Sequence, residues 1–151
     1  MLLLAAAAAV SLRYATYLPV VCEARVTHAL RALTDAADGS AAVQVAAARA
    51  AQSSLSACDC LAGSDFKLMY VRGTALRYLG DPAGAIDAYH RALAVHRRPE
   101  LYLALGLAQL EALDRSAAID SFAAAGAFDP AQLERIPYDD VRAEVEQRID
   151  Q

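Results

Sequence analysis

Tryptophan and asparagine are missing from this 151-residue chain, isoleucine occurs only four times, and lysine once, at Lys67. The 14 basic residues are scattered, none in a run longer than Arg97-Arg98, and the net charge is -4. No surface able to hold phosphate backbones is expected, and hence no nucleic-acid partner. The chain also lacks a Gly-rich phosphate loop, a nucleophile elbow, an HExxH motif, and any Ser, His and Asp at suggestive spacing. Nothing therefore supports an enzyme, a cofactor or a small-molecule substrate. His28, His90 and His96 are isolated, and Cys58-Asp59-Cys60 has no second ligand pair at metal spacing, so no metal site is expected. Asp139-Asp140, and Asp35 with Asp38, look like carboxylate pairs, but they fall at expected helix starts, where acids favour the helix dipole.

What is present is alanine, 37 residues of it, within a hydrophobic fraction of 57% and a mean hydropathy of +0.25. Alanine is the best helix former and a poor core filler, so the composition points to many thin, closely packed helices rather than a sheet or barrel. The expected fold class is all-α.

The chain opens on apolar residues. Leu2, Leu3 and Leu4 begin a run that is uninterrupted to Val10, and beyond Leu12 the only charge before Glu23 is Arg13. A helix from Met1 to Leu18 would be about 27 Å long, close to the roughly 30 Å hydrocarbon core. Arg13 at mid-membrane would cost about 2.5 to 3.5 kcal/mol unless it snorkels to the headgroups beside Tyr14 and Tyr17. Competing readings are a cleaved signal peptide, which wants a basic start and an A-x-A-like site; a lipoprotein box at Leu18 to Cys22, which wants a small residue where Val21 stands; and one more buried helix of a bundle. A retained anchor helix ended by Pro19 is the expectation adopted. Arg13, Arg25 and Arg31 after the segment, with no basic residue before it, lean towards a cytoplasmic C-terminal side.

The cysteines lean the other way. Cys22 falls at the start of one expected helix and Cys58 near the end of the next, so an antiparallel hairpin would bring them together. A disulfide there implies an oxidising compartment. Cys60 is an alternative partner for Cys22, and free cysteines buried as small hydrophobes are the competing reading.

Internal repetition is the strongest signal. The segment from Gly73 to Leu93 aligns without a gap on the segment from Gly106, so that Ala85-Ile86-Asp87 recurs as Ala118-Ile119-Asp120 at a spacing of 33. A degenerate earlier copy of the ladder Ala85, Tyr89, Ala92 is Ala51, Leu55, Cys58, 34 residues upstream. Gly80-Asp81-Pro82 supplies a left-handed cap, an N-cap and a first helical residue, the elements of a tight helix-turn-helix. Gly73, Leu76, Ala85, Tyr89 and Ala92 in one copy, and Tyr102, Leu105-Gly106, Ala118, Phe122, Ala125 and Pro130 in the next, resemble the tetratricopeptide repeat. The first copy departs from it in having Arg72 before its glycine and its proline displaced to Pro99. The resemblance covers Asp65 to Pro130 and extends weakly over Val20 to Leu61.

It implies a short α-solenoid of about three antiparallel helix pairs: an anchor at 1–18, a degenerate pair at 19–64 split by Asp38-Gly39-Ser40, two repeats at 65–130, and a capping helix at 131–151 with Val141, Val145 and Ile149 on one face. It also implies a concave groove faced by Lys67, Tyr70, Thr74, Arg77 and Tyr78, then Leu103, Leu107, Leu110 and Glu111; the leucines read equally well as packing between helices. Tyr70 and Thr74 stand where some members carry a Lys and Asn clamp for acidic peptides, so the groove suits an amphipathic helix or extended peptide instead. The expected function is a membrane-anchored scaffold or accessory subunit of a membrane assembly, its soluble part on the periplasmic side of a bacterial membrane. The alternative is a soluble adaptor binding a peptide in the groove.

Overall fold

The computed structural model describes residues 20–61 and 65–150. Every regular element among them is helical: residues 20–35 (α1), Ala41–Leu55 (α2), Phe66–Tyr78 (α3), Pro82–Val95 (α4), Pro99–Glu111 (α5), Arg115–Phe128 (α6) and Asp139–Ile149 (α7), with 3-10 turns at Ser56–Leu61 and Pro130–Arg135. Each helix from α2 to α7 packs on the next in sequence. The candidate anchor, with Leu2, Leu3, Leu4, Val10, Leu12 and Arg13, lies outside the described residues. Among the described residues no helix is long and apolar enough to cross a membrane.

The turns after α3 and α5 are built alike, 33 residues apart. Gly80 N donates to Arg77 O and Asp81 N to Leu76 O; Leu113 N donates to Leu110 O and Asp114 N to Gln109 O. This Schellman closure needs a left-handed residue, and Gly80 has φ 79° while Leu113 has φ 65°. Next, the Asp81 carboxylate accepts from Gly84 N at 2.9 Å and that of Asp114 from Ala117 N at 3.1 Å, each capping the following helix.

The packing inside these two pairs also repeats. A Cβ placed on Gly73 would lie 2.5 Å from the Tyr89 ring, and one on Gly106 2.5 Å from the Phe122 ring. Glycine is what lets each pair close over a fully buried aromatic, with Ala85 and Ala118 buried beside them. One apolar cluster runs from α1 into α5, and a second joins α5, α6 and α7.

The first pair departs from the expected copy. The residues preceding α2, α4 and α6 are Ser40, Asp81 and Asp114, so the first two hairpins are 41 residues apart and only the last two 33. Ala51, Leu55 and Cys58 are buried as the ladder predicts, but α2 ends at Leu55 and Cys58 sits on a 3-10 turn. Asp35 closes α1 and Asp38 lies in the turn, not at a helix start, and Ser40 makes no side-chain cap. At the other end Val141 and Val145 are buried on α6, whereas Ile149 is 42% exposed, because α7 ends there and leaves it at the rim.

Leu113 is 92% exposed and holds a glycine conformation with a side chain that packs on nothing. Leu113→Gly should raise stability by about 1 kcal/mol, and Gly106→Ala should lower it by about 2 kcal/mol through the Phe122 clash. Urea unfolding midpoints at unchanged slope are the measurement; a Leu113→Gly chain no more stable than wild type would contradict the strain.

Candidate functional site

The first helices of the three pairs, α1, α3 and α5, share a groove of about 600 Å³. On α3, Tyr70, Thr74, Arg77 and Tyr78 fall at i, i+4, i+7 and i+8, one face of a helix whose other side buries Leu68, Val71 and Ala75. From α5 come Leu103, Leu107 and Glu111, again four apart. From α1 come Leu30, Leu33 and Thr34, with Ala37 just beyond it.

Polar side chains on the groove floor are tied to each other. The Thr74 hydroxyl donates to Tyr70 O at 3.1 Å and lies 3.1 Å from the Tyr89 hydroxyl, whose ring is tilted against Tyr70 at 6.0 Å. Arg77 Nε donates to both Glu111 carboxylate oxygens at 3.1 Å, and Nη2 donates to Oε1 at 2.5 Å. This ion pair bridges residues 34 apart, joining one helix pair to the next. Burial pulls the Arg77 guanidinium down, but the hydrogen bonds and charge of Glu111 outweigh it and hold Arg77 above its ordinary pKa. Burial likewise pushes Tyr78 up, and Tyr89 far up, against the opposing pull of Arg77. With Arg77 and Glu111 answering one another, the floor offers a partner hydroxyls and leucines, and the charges left to meet it are those of the exposed Glu100 and Arg135.

The predicted groove residues do not all meet there. Tyr70, Thr74, Arg77, Tyr78, Leu103, Leu107 and Glu111 line it together, although Leu103 is only 4% exposed and chiefly packs between helices. Leu110 lines an adjoining depression of about 320 Å³ with Pro137, Tyr138 and Val141. Lys67 does not line the groove; its ammonium pairs with Glu23 of α1 at 2.7 Å, out in solvent. The α1 wall was not anticipated, though Leu30, Leu33, Thr34 and Ala37 carry the three-and-four spacing of a helix face. Gln44 from the first turn of α2, Glu100 from the first turn of α5 and Arg135 from the 3-10 segment also reach the groove; Glu100 continues the spacing of Leu103, Leu107 and Glu111, whereas no periodicity marks Gln44 or Arg135.

No known protein family, curated protein or solved structure matches the chain. Cys22 and Cys58 are joined in a disulfide, with Cα atoms 5.7 Å apart, pinning α1 to the turn after α2. Among the described residues no group of three or more His, Cys, Asp or Glu is placed to hold a metal ion. Asp140 is drawn to Arg115 at 2.9 Å, and that hydrogen bond lowers its pKa, so its acidity reflects an exposed ion pair between α6 and α7.

Two measurements test this account of the floor. Glu111→Gln leaves the Arg77 side chain, 15% exposed, short of its counterion, and should cost about 1 to 2 kcal/mol. Lys67→Ala breaks a pair whose ammonium side chain is 50% exposed and should leave the unfolding midpoint nearly unmoved; equal losses in urea unfolding would refute the ranking. Tyr89 has its pKa raised above the ordinary 10.0 by burial, so its contribution is complete below that pH and is lost as pH rises beyond it. Alkaline unfolding should accordingly move to higher pH in Tyr89→Phe, followed by circular dichroism; an unmoved midpoint would show that Tyr89 ionisation does not drive it.

Proposed function

We propose that this chain is a non-enzymatic interaction module, a tetratricopeptide-like helical repeat whose groove between α1, α3 and α5 receives an amphipathic helix or extended peptide of a partner protein. The observation that carries the reading is the groove itself, lined in common by the first helices of three successive pairs, with Tyr70, Tyr78, Leu30 and Leu107 offering contact area. Rigid aromatic and aliphatic surface around a floor whose charges are already paired favours apolar anchors with backbone hydrogen bonds over a highly charged ligand. The repeat reading draws support from the two matched turns and from the glycine–aromatic contact that recurs at Gly73 and Gly106.

The apolar run from Leu2 to Val10 supports a membrane anchor at 1–18. The Cys22–Cys58 disulfide favours an oxidising, extracytoplasmic side for the helical array, which in a bacterium is the periplasm. Together these make the chain an accessory or scaffolding subunit of a membrane assembly.

Purification of the full chain in mild detergent should carry a partner along, and Leu107→Asp, on the groove wall, should release it with helicity retained. Undiminished co-purification would place the interface elsewhere. Carbonate washing of membranes should leave the chain in the pellet; release into the supernatant would replace the anchor with a soluble adaptor.

A further inference from the structure

The α1 wall of the groove is held differently from the other two. In the α3–α4 and α5–α6 pairs a fully buried aromatic, Tyr89 or Phe122, fills the space between helices. The buried side chains of α1 are Cys22, Val26, Ala29 and Leu33, and they meet a helix whose buried residues are Ala48, Ala51 and Leu55. Val26, Leu33 and Leu55 are the branched aliphatics of that seam and join the core beside Leu68 and Met69, but with no aromatic between the two helices it buries less apolar area than the later pairs. The polar ties of α1 are equally slight: Arg25 Nη1 donates to Ser54 O at 2.9 Å, Glu23 meets Lys67 in solvent, and Gln44 Nε2 donates to Ala37 O at 2.8 Å. Against these stands one covalent bond, Cys22–Cys58, closing a stretch of 36 residues.

Resting on the groove reading above, we propose that this disulfide is a redox gate on the groove. With Cys22 bonded to Cys58, α1 lies fixed beside α3 and presents Leu30, Leu33 and Thr34 to the partner. With both cysteines reduced, α1 opens locally and the groove loses its third wall while α3 to α6 remain folded. Closing the gate forms one S–S bond and releases two protons and two electrons, which pass to a disulfide-bearing oxidant whose own S–S bond becomes two thiols; a dithiol reductant runs the same exchange in reverse. Both sulfurs belong to buried residues, 1% and 0% exposed, so a reductant reaches them only when α1 has already opened. The gate thus stays shut in an oxidising compartment, and a chain still in a reducing one cannot present the complete groove.

Amide hydrogen exchange on the full-length chain in mild detergent, oxidised and then reduced with a dithiol and alkylated, reads this directly. Exchange in residues 26–35 should accelerate by roughly tenfold or more on reduction, with the amides of α3 to α6 unchanged. A Cys22→Ser, Cys58→Ser chain should match the reduced protein, which separates loss of the bond from the bulk of the alkyl groups. Unchanged exchange in α1 would overturn the gate, and so would equal acceleration from α1 through α6, which would make the bond a stabiliser of the whole fold. The groove reading is judged separately: if Leu107→Asp releases the partner while exchange in α1 ignores redox state, the groove stands and the gate falls.

Discussion

The closure of each repeat over one aromatic ring is the contact on which the rest depends. Tyr89 and Phe122 are fully buried because Gly73 and Gly106 have no side chain to hold the facing helix away. That approach aligns α3 with α5, sets Tyr70 and Thr74 against the hydroxyl of Tyr89, and brings Arg77 within reach of Glu111. The groove is thus a by-product of packing: its floor consists of what protrudes when two glycine–aromatic pairs stack at a constant offset.

Much of this was legible because the repeat unit is written twice in residues with few alternative uses. A buried ring, a glycine opposite it and a Gly-Asp-Pro turn each constrain the backbone, so Gly73 to Leu93 announces both its helices and its turn. The α3 and α5 contributions to the groove came from the resemblance to the tetratricopeptide repeat, and of them Lys67 and Leu110 lie outside it. The first pair was legible in part: Asp38-Gly39-Ser40 lies between α1 and α2 as expected, but the register of that pair against the next did not follow. Alanine is compatible with nearly any helix–helix register, so the Ala51, Leu55, Cys58 ladder matched the repeat at a spacing of 34 although its hairpin turn lies 41 residues before the next one. Leu113 was hidden for a different reason. Nothing in a leucine indicates a left-handed residue, and only the hydrogen-bonded frame shared with Gly80 requires one there.

The two ends of the array solve their exposure in different ways. At the C-terminal end α7 lays Val141 and Val145 on α6 and turns its charges outwards, with Arg115 and Arg148 of the two helices engaging Asp140, Glu144 and Asp120 across the joint. At the other end the solvent side of α1 carries Glu23, His28 and Arg31 interleaved with Val20, Ala24 and Thr27.

Helix α5 belongs to both apolar clusters: Leu101, Leu105 and Ala108 pack with the preceding helices, Leu103 with those that follow. It is apolar nearly all round, with more than half its length buried. The molecule consequently has no natural seam at its middle. A fragment cut just before α5 bares the surface that Leu101 and Leu105 cover, and one cut just after it bares Leu103 and the faces meant for Phe122 and Ile136. Shorter forms of this protein, whether made by proteolysis or by design, are expected to be sticky wherever the break separates α5 from either neighbour.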